Sequence, residues 1–401
     1  MMAWDENIDI AIWGTGYCGL KMYYKYRHRY NIKCFIDNYP KEDSVNGISV
    51  IMPEEIQNIK IVIAIEKYEE ICQQCENMGK SFFEDYLPYD FFEYTEINII
   101  RLNKVVKERT KSVLFKLMHE KSIAIIIGNC QTEYIRKYMC QSKEFIEDYI
   151  FINIPMIHMI SSKDESILRE NRYIFERCDL CITQIISDDN EFSHFLSTSH
   201  VKRLLGNNTQ IVKLPVLYFD IYFPQTIHQR KPLETLKKVG ILSFPYGDCI
   251  LDELSLRHSP EEIVEIVKFD NLLSRRFLKR FFEERIEKLR EKESVCDIKI
   301  LDYILANYKK ELLFYSKNHP CNKLIVEFVK RILNYLGYMD FNAKPTLYKE
   351  MDLWQEIIYP SVAKEYGLQF EKETYNDCAL DEGCNFDEIV KFYLSYVHNK
   401  V

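Results

Sequence analysis

The sequence predicts an α/β protein: a small N-terminal parallel α/β domain of Rossmann-like type, then a larger mixed α/β domain rich in helix. Three observations predict it. Short apolar runs alternate with segments of helical periodicity, the pattern of parallel strands covered on both faces. Gly and Pro are scarce, 12 of each in 401 residues, which disfavours a turn-rich all-β fold. The chain is also too long for one ordinary core, so two or three domains are expected.

The elements follow in order. Residues 8–16 (IDIAIWGTG) read as a strand and turn, and 17–30 as a helix. Residues 32–38 (IKCFIDN) form a second strand ending at Asp37. Asn46-Gly47 marks a turn before ISVIMPEEI. A third buried strand, IKIVIAI, precedes the helix YEEICQQCENMG, and SFFEDYLPYDFF closes a domain set at 1–92. Residues 93–120 read as a helical connector, and the second domain is set at 121–401. Its strand candidates are SIAIII (122–127), YIFINI, DLCITQII, TQIVKL and KVGILSF (238–244). From about Ser259 the chain turns helical: SPEEIVEIVKF, residues 272–292, 295–308, 322–337 and 352–368.

Composition narrows the function. The chain is 47% hydrophobic and 28% charged, hence globular. Its net charge is −8, and the most basic run, Arg275 to Lys292, alternates in sign at helical spacing. That is the pattern of a solvated amphipathic helix, so nucleic acid is not an expected partner. No run reaches the roughly 18 apolar residues of a membrane span. The N-terminus lacks the features of a signal peptide. A cytoplasmic protein is expected, with room for a peripheral membrane association. The 13 cysteines sit mostly in apolar segments as small buried hydrophobes. Cys72/Cys75 lie in a helical pattern and Cys178/Cys181 flank a strand, so no metal site is expected.

Two turns carry chemistry. Gly14-Thr15-Gly16-Tyr17-Cys18-Gly19 has the GxGxxG form between strand and helix, and Asp37 ends the next strand. In the dinucleotide fingerprint, Gly14 serves the tight turn, Gly16 the approach of a pyrophosphate, and Gly19 helix packing; Asp37 would bind a ribose hydroxyl. A tight βα turn with no ligand explains the same glycines. With Phe35-Ile36-Asp37, Asn46 to Val50 and Val62 to Ile65, this stretch resembles the small domain ahead of some sugar-nucleotide acetyltransferases. The resemblance implies a nucleotide, nucleotide-sugar or regulatory site.

The second turn is Gly128-Asn129-Cys130-Gln131, where a buried strand opens a helix. Free N–H groups gather at such a helix start, so a cysteine there can have a lowered pKa, and an oxyanion or phosphate can bind. Cys130 is thus a nucleophile or part of an anion cradle. The residues that follow in order are Asp179 with Thr183-Gln184, Pro215 through Gln225 (PVLYFDIYFPQ), Tyr246-Gly247-Asp248, Ser259 to Ile263, and Asn318-His319-Pro320.

This ordered set resembles the WcbI-like family of capsular polysaccharide biosynthesis proteins, over about residues 122–340. One departure is Ile221, where some members carry Gly. The resemblance implies coenzyme A or acetyl-CoA binding and O-acetyl transfer to a sugar of a surface polysaccharide. Cys130 would attack the thioester or line the site; His319 is the best base, because imidazole titrates near neutrality. Asp248 would orient that histidine, with Asp252 as its rival. Oxyanion or substrate contacts are expected from Gly128, Asn129, Gln131, Gln184 and Asn318. Arg136 and Lys137 are candidates for a CoA phosphate. His158, His194, His200, His228 and His258 have no defensible pairing. Two other readings compete. One is an SGNH-like esterase with cysteine for serine, weakened because Ser316 to His319 (SKNH) lacks the Asp such enzymes place before the histidine. The other is a non-catalytic module that binds CoA or a nucleotide sugar and organises other capsule enzymes, in peripheral association with capsule assembly machinery.

Overall fold

The computed structural model describes residues 4, 7–56, 58–65, 67–92, 96–106, 110–111, 114, 121–228, 246–345, 351, 355–370, 372, 374–375 and 383–398. The strand expected at 238–244 lies outside the described residues. The chain forms two compact units. One comprises Met1–Asn129 with Ser142–Ile211, the other Cys130–Gln141 with Val212–Val401.

The first unit is built on parallel sheets. Strands β1 (Asp9–Trp13), β2 (Asn31–Ile36), β3 (Ser44–Val45), β4 (Ile48–Ile51), β5 (Lys60–Ile63) and β6 (Tyr86–Pro88) form one sheet in the order β3-β4-β2-β1-β5-β6. All its pairings are parallel except the β3–β4 hairpin. The Asn46-Gly47 turn closes that hairpin with both residues at positive φ, 53° and 77°, as a two-residue hairpin loop demands. The two central strands, β1 and β5, are apolar after their first residue, as strands covered on both faces require. Ile10 to Trp13 and Ile61 to Ile63 are all buried.

A second sheet runs β11-β10-β8-β9-β7. Its strands are β7 (Glu96–Asn98), β8 (Ser122–Ile127), β9 (Tyr149–Asn153), β10 (Leu180–Gln184) and β11 (Gln210–Leu214). Within β11 the chain passes into the second unit. The stretch expected to be a helical connector therefore opens with an edge strand, and a helix follows over Ile99–Val106. Three residues are too few to display a period of two, so the sequence pattern hid β7. One apolar cluster, from Ile10 through Ile125 to Val201, packs the first unit.

The second unit is mainly helical. Its main helices are Gln131–Met139, Pro260–Val267, Arg275–Ser294, Leu301–Asn307, Asn322–Leu336, Pro360–Tyr366 and Phe386–His398. Their starts obey local rules. Ser259 accepts the Glu262 N–H while the Glu262 carboxylate accepts the Ser259 N–H, with Pro260 at the first position. Ser274 caps the 20-residue helix. Gly337 ends Asn322–Leu336 at φ +96°. That helix buries Leu324, Ile325, Phe328, Val329, Ile332 and Leu333 along one face and packs on Gln131–Met139. Two short antiparallel pairs complete the unit: β12 (Thr226–His228) with β13 (Tyr246–Asp248), and β14 (Phe314–Ser316) with β15 (His319–Pro320). No helix among the described residues is long and apolar enough to cross a membrane.

Candidate active site

Strand β8 ends at Gly128-Asn129, and the first unit grips this turn by its backbone. The Asn129 N–H donates to Gln184 Oε1 at 2.9 Å, and the Ile157 N–H donates to the Gly128 carbonyl at 2.9 Å. Gln184 is 2% exposed at the end of β10, the strand beside β8. Its carboxamide oxygen thus shapes the turn, and the Asn129 N–H is taken by it.

Cys130 is the N-cap of helix Gln131–Met139. Within the second unit its Sγ lies 3.8 Å from His319 Nε2. His319 Nδ1 lies 3.0 Å from the Met351 carbonyl oxygen. A carbonyl only accepts, which assigns a proton to Nδ1; in the neutral ring the Nε2 lone pair then faces the thiol. The sequence separates the pair by 189 positions; the fold brings them together.

Gln131 makes this convergence. It is fully buried, and its Nε2 donates to the carbonyls of Leu217 and Asn318, both at 2.7 Å. Its Oε1 accepts the Leu217 N–H at 3.0 Å. The residue after the cysteine is thereby tied to the residue before the histidine. Expected to face substrate, Gln131 instead fills its hydrogen-bonding capacity within the protein.

The thiol is not pre-ionised. Burial pushes its pKa up to about 11, against the pull of the Cys130 and Gln131 N–H groups. The expectation of a lowered pKa at the helix start is corrected here. Desolvation outweighs the field of a few N–H groups.

Asp248 does not orient the histidine. Its Oδ1 accepts the Ile250 and Leu251 N–H groups as a helix cap, and its Oδ2 accepts the Tyr359 hydroxyl at 2.8 Å. Its own N–H donates to the Tyr393 hydroxyl, which donates to Asp252 Oδ1. Asp248 therefore anchors β13, and the group at His319 Nδ1 is the Met351 carbonyl. No sequence signal marks a backbone carbonyl as an orienting group.

Strand β13 presents Tyr246, which sequence reasoning passed over within the Tyr-Gly-Asp motif. Its hydroxyl is hydrogen-bonded by the Asn318 side chain, Cys130 acts on it electrostatically, and burial keeps its pKa well above the ordinary phenol value. Asn318 thus lies beside Tyr246. Arg136 is buried, 4% exposed. Lys137 is exposed and pairs with Glu133 at 3.0 Å.

In the first unit, Gly14 has φ +119°, and a Cβ there would meet Ala64 O at 2.8 Å. A Cβ on Gly19 would fall 1.9 Å from Gly14 O, whereas one on Gly16 meets nothing within 4 Å. Asp37 Oδ2 accepts the Thr15 hydroxyl at 2.6 Å, and Oδ1 accepts the Tyr39 N–H. Cys75 and Cys181 are buried thiols pushed up to about 12. Among the described residues no group of three or more His, Cys, Asp and Glu side chains could hold a metal.

The model of the WcbI family, described as a polysaccharide biosynthesis enzyme, matches residues 123–340. The chain belongs to this family. Both Cys130 and His319 fall inside the matched segment. A solved structure of WcbI superimposes with a TM-score of 0.57 and 17% identity, covering 70% of this chain and 90% of that one. It is described as a novel polysaccharide biosynthesis enzyme, in native form without a disulfide bond between CoA and one of its cysteines. At that identity the likeness establishes a shared fold. No curated protein matches the chain.

Proposed function

We propose that this WcbI-family protein is a CoA-dependent O-acetyltransferase acting on a sugar hydroxyl of a capsular or other surface polysaccharide. The observation that carries the reading is the 3.8 Å approach of His319 Nε2 to Cys130 Sγ, with Nδ1 on a carbonyl. The CoA named with the WcbI neighbour supports the choice of thioester.

The residues present fit an acyl thioester, which would supply the activated acetyl group. Cys130 Sγ attacks the carbonyl carbon while His319 Nε2 takes the thiol proton. His319 passes that proton to the departing sulfur as the original S–C bond breaks, leaving acetyl-Cys130. His319 then takes the sugar hydroxyl proton as that oxygen attacks, and returns it to Cys130. A thiol with a pKa of about 11 needs such a base. Asn318 and the Tyr246 hydroxyl are our candidates for oxyanion donors. We assign a CoA phosphate to exposed Lys137 in preference to buried Arg136. At the Gly14–Gly19 turn we keep the reading of a nucleotide or nucleotide-sugar, supported by the open space at Gly16.

Titration calorimetry with CoA and acetyl-CoA on wild type, Cys130→Ala and His319→Ala tests the reading. It is paired with intact-mass detection of an added acetyl group. We expect wild type to bind both and Cys130→Ala to bind without acquiring acetyl. No binding by wild type sinks the proposal. Binding with no transfer to any candidate sugar moves the chain to the non-catalytic reading. Ester hydrolysis without CoA binding moves it to the esterase.

A further inference from the structure

Lys317 is a buried charged side chain that this mechanism leaves without a task. It is 3% exposed and lies two residues before His319. Its backbone is engaged: the N–H donates to Glu356 Oε2 at 2.6 Å, and the carbonyl accepts the Phe219 N–H at 2.7 Å. Its ammonium lies 3.7 Å from the centroid of the Tyr246 ring. Among the described residues that ammonium makes no hydrogen bond and no ion pair. Desolvating an unpaired ammonium is costly, so buried ones normally have partners.

The neighbouring carboxylates are committed elsewhere. Asp220 Oδ2 pairs with Arg285 at 3.0 Å. Glu356 accepts the Thr226 hydroxyl at 2.7 Å and the Lys317 N–H. Glu356, Asp220 and Arg285 act on Lys317 through space. Of the three, Glu356 acts most strongly and favours the charged ammonium, while Asp220 and Arg285 oppose each other; among the described residues none of their carboxylate oxygens bonds the ammonium. Asp220 Oδ1, in the same cluster, is buried without a partner. The ring under the ammonium belongs to the active site, because Tyr246 is part-exposed, bonded by Asn318 and coupled to Cys130.

We propose that Lys317, resting on Tyr246, forms an anion-binding subsite beside the Cys130–His319 pair that takes an acidic group of the acyl acceptor. Such a group, a carboxylate or phosphate on the sugar, would supply the acceptors the ammonium lacks. Chemistry selects the acceptor over the donor. The whole pantetheine arm separates the reacting sulfur of CoA from its phosphates. A donor seated at Cys130 therefore holds them far from a cation one tyrosine away. An acceptor hydroxyl must reach the same carbon, so a substituent on its ring stays within a ring's breadth. The identity of the occupant rests on the acyl-transfer reading; the subsite is tested without acyl transfer.

The test compares alkylation of Cys130 by iodoacetate, an anion, and iodoacetamide, its neutral analogue, by peptide mass spectrometry on the full chain. The ratio of the two rates cancels the small thiolate fraction. We expect the ratio to fall about tenfold in Lys317→Met, the size of one charge-assisted contact, and to stay within about twofold in Lys317→Arg. In wild type, glucuronate or glucose 6-phosphate should slow iodoacetamide at Cys130 where glucose does not, and Lys317→Met should lose that protection. An unchanged ratio in a folded Lys317→Met protein overturns the proposal. Should that variant not fold, wild-type protection by neither acid beyond glucose overturns it. If Lys317→Met instead weakens protection by CoA but not by pantetheine, the cation serves the donor's phosphates and the acceptor assignment fails. A chain that keeps the charge preference yet never binds acetyl-CoA would refute the acetyltransferase and leave the subsite standing.

Discussion

Cys130 is a neutral thiol at rest, beside His319. With the thiol near 11, only a small fraction is thiolate at neutral pH, so in the proposed mechanism the imidazole takes the proton during attack. Two predictions belong to these residues. Alkylation of Cys130 by iodoacetamide should keep rising with pH through about 10; a plateau near 7 would reveal a thiolate–imidazolium pair and refute the raised thiol pKa. His319→Gln, which keeps a polar side chain of similar size, should cut acetyl transfer by about a hundredfold to ten-thousandfold. Acetyl-CoA binding, read by calorimetry, should be almost untouched.

Single turns hold the elements that bring those residues together. Gln131 links the start of helix Gln131–Met139 to the Leu217 backbone and to the β14–β15 hairpin. Replacing it by Leu leaves three buried backbone groups unpaired. The expected cost is about 3 kcal/mol in urea unfolding, and the alkylation rate of Cys130 should no longer depend on His319. In the first unit the glycines of one motif separate by role. Gly19→Ala drives a Cβ to 1.9 Å from a carbonyl oxygen and should destabilise by roughly 3 kcal/mol or prevent folding. Gly16→Ala enters open space, with φ −76°, and should change stability by less than about 0.5 kcal/mol. Equal effects at the two positions, measured by denaturant melts, would refute this assignment.

Across the whole molecule, two buried carboxylates set a pH dependence. Burial pushes Asp248 and Glu356 up to about 7, from the ordinary range near 4. Between those values the folded chain holds more protons than the unfolded chain, so raising the pH costs stability. Tm should therefore fall as pH rises from about 4 to about 7. Asp248→Asn, which can still cap its helix, should remove roughly 2 kcal/mol of that loss. A Tm profile with the same slope in the variant would show that Asp248 is not the group responsible.

The sequence by itself determined the α/β class, the order of the long strands and helices, the Cys130 turn and the family. Each is written in local pattern: apolar runs such as Ser122 to Ile127, the Ser-Pro-Glu-Glu helix start, the Gly-Asn-Cys-Gln and Asn-His-Pro motifs. It also identified Cys130 and His319 as the candidate pair, because few side chain types suit acyl transfer. The three-residue strand β7 stayed hidden because periodicity needs length. The tertiary structure alone decided that Gln131 positions rather than binds, that a carbonyl and not Asp248 holds His319, and that Cys130 is a neutral thiol. It alone showed that Lys317, a residue type usually exposed, points a buried charge at Tyr246. These outcomes depend on desolvation and on which distant backbone groups meet, and neither is encoded in the spacing of residues along a chain.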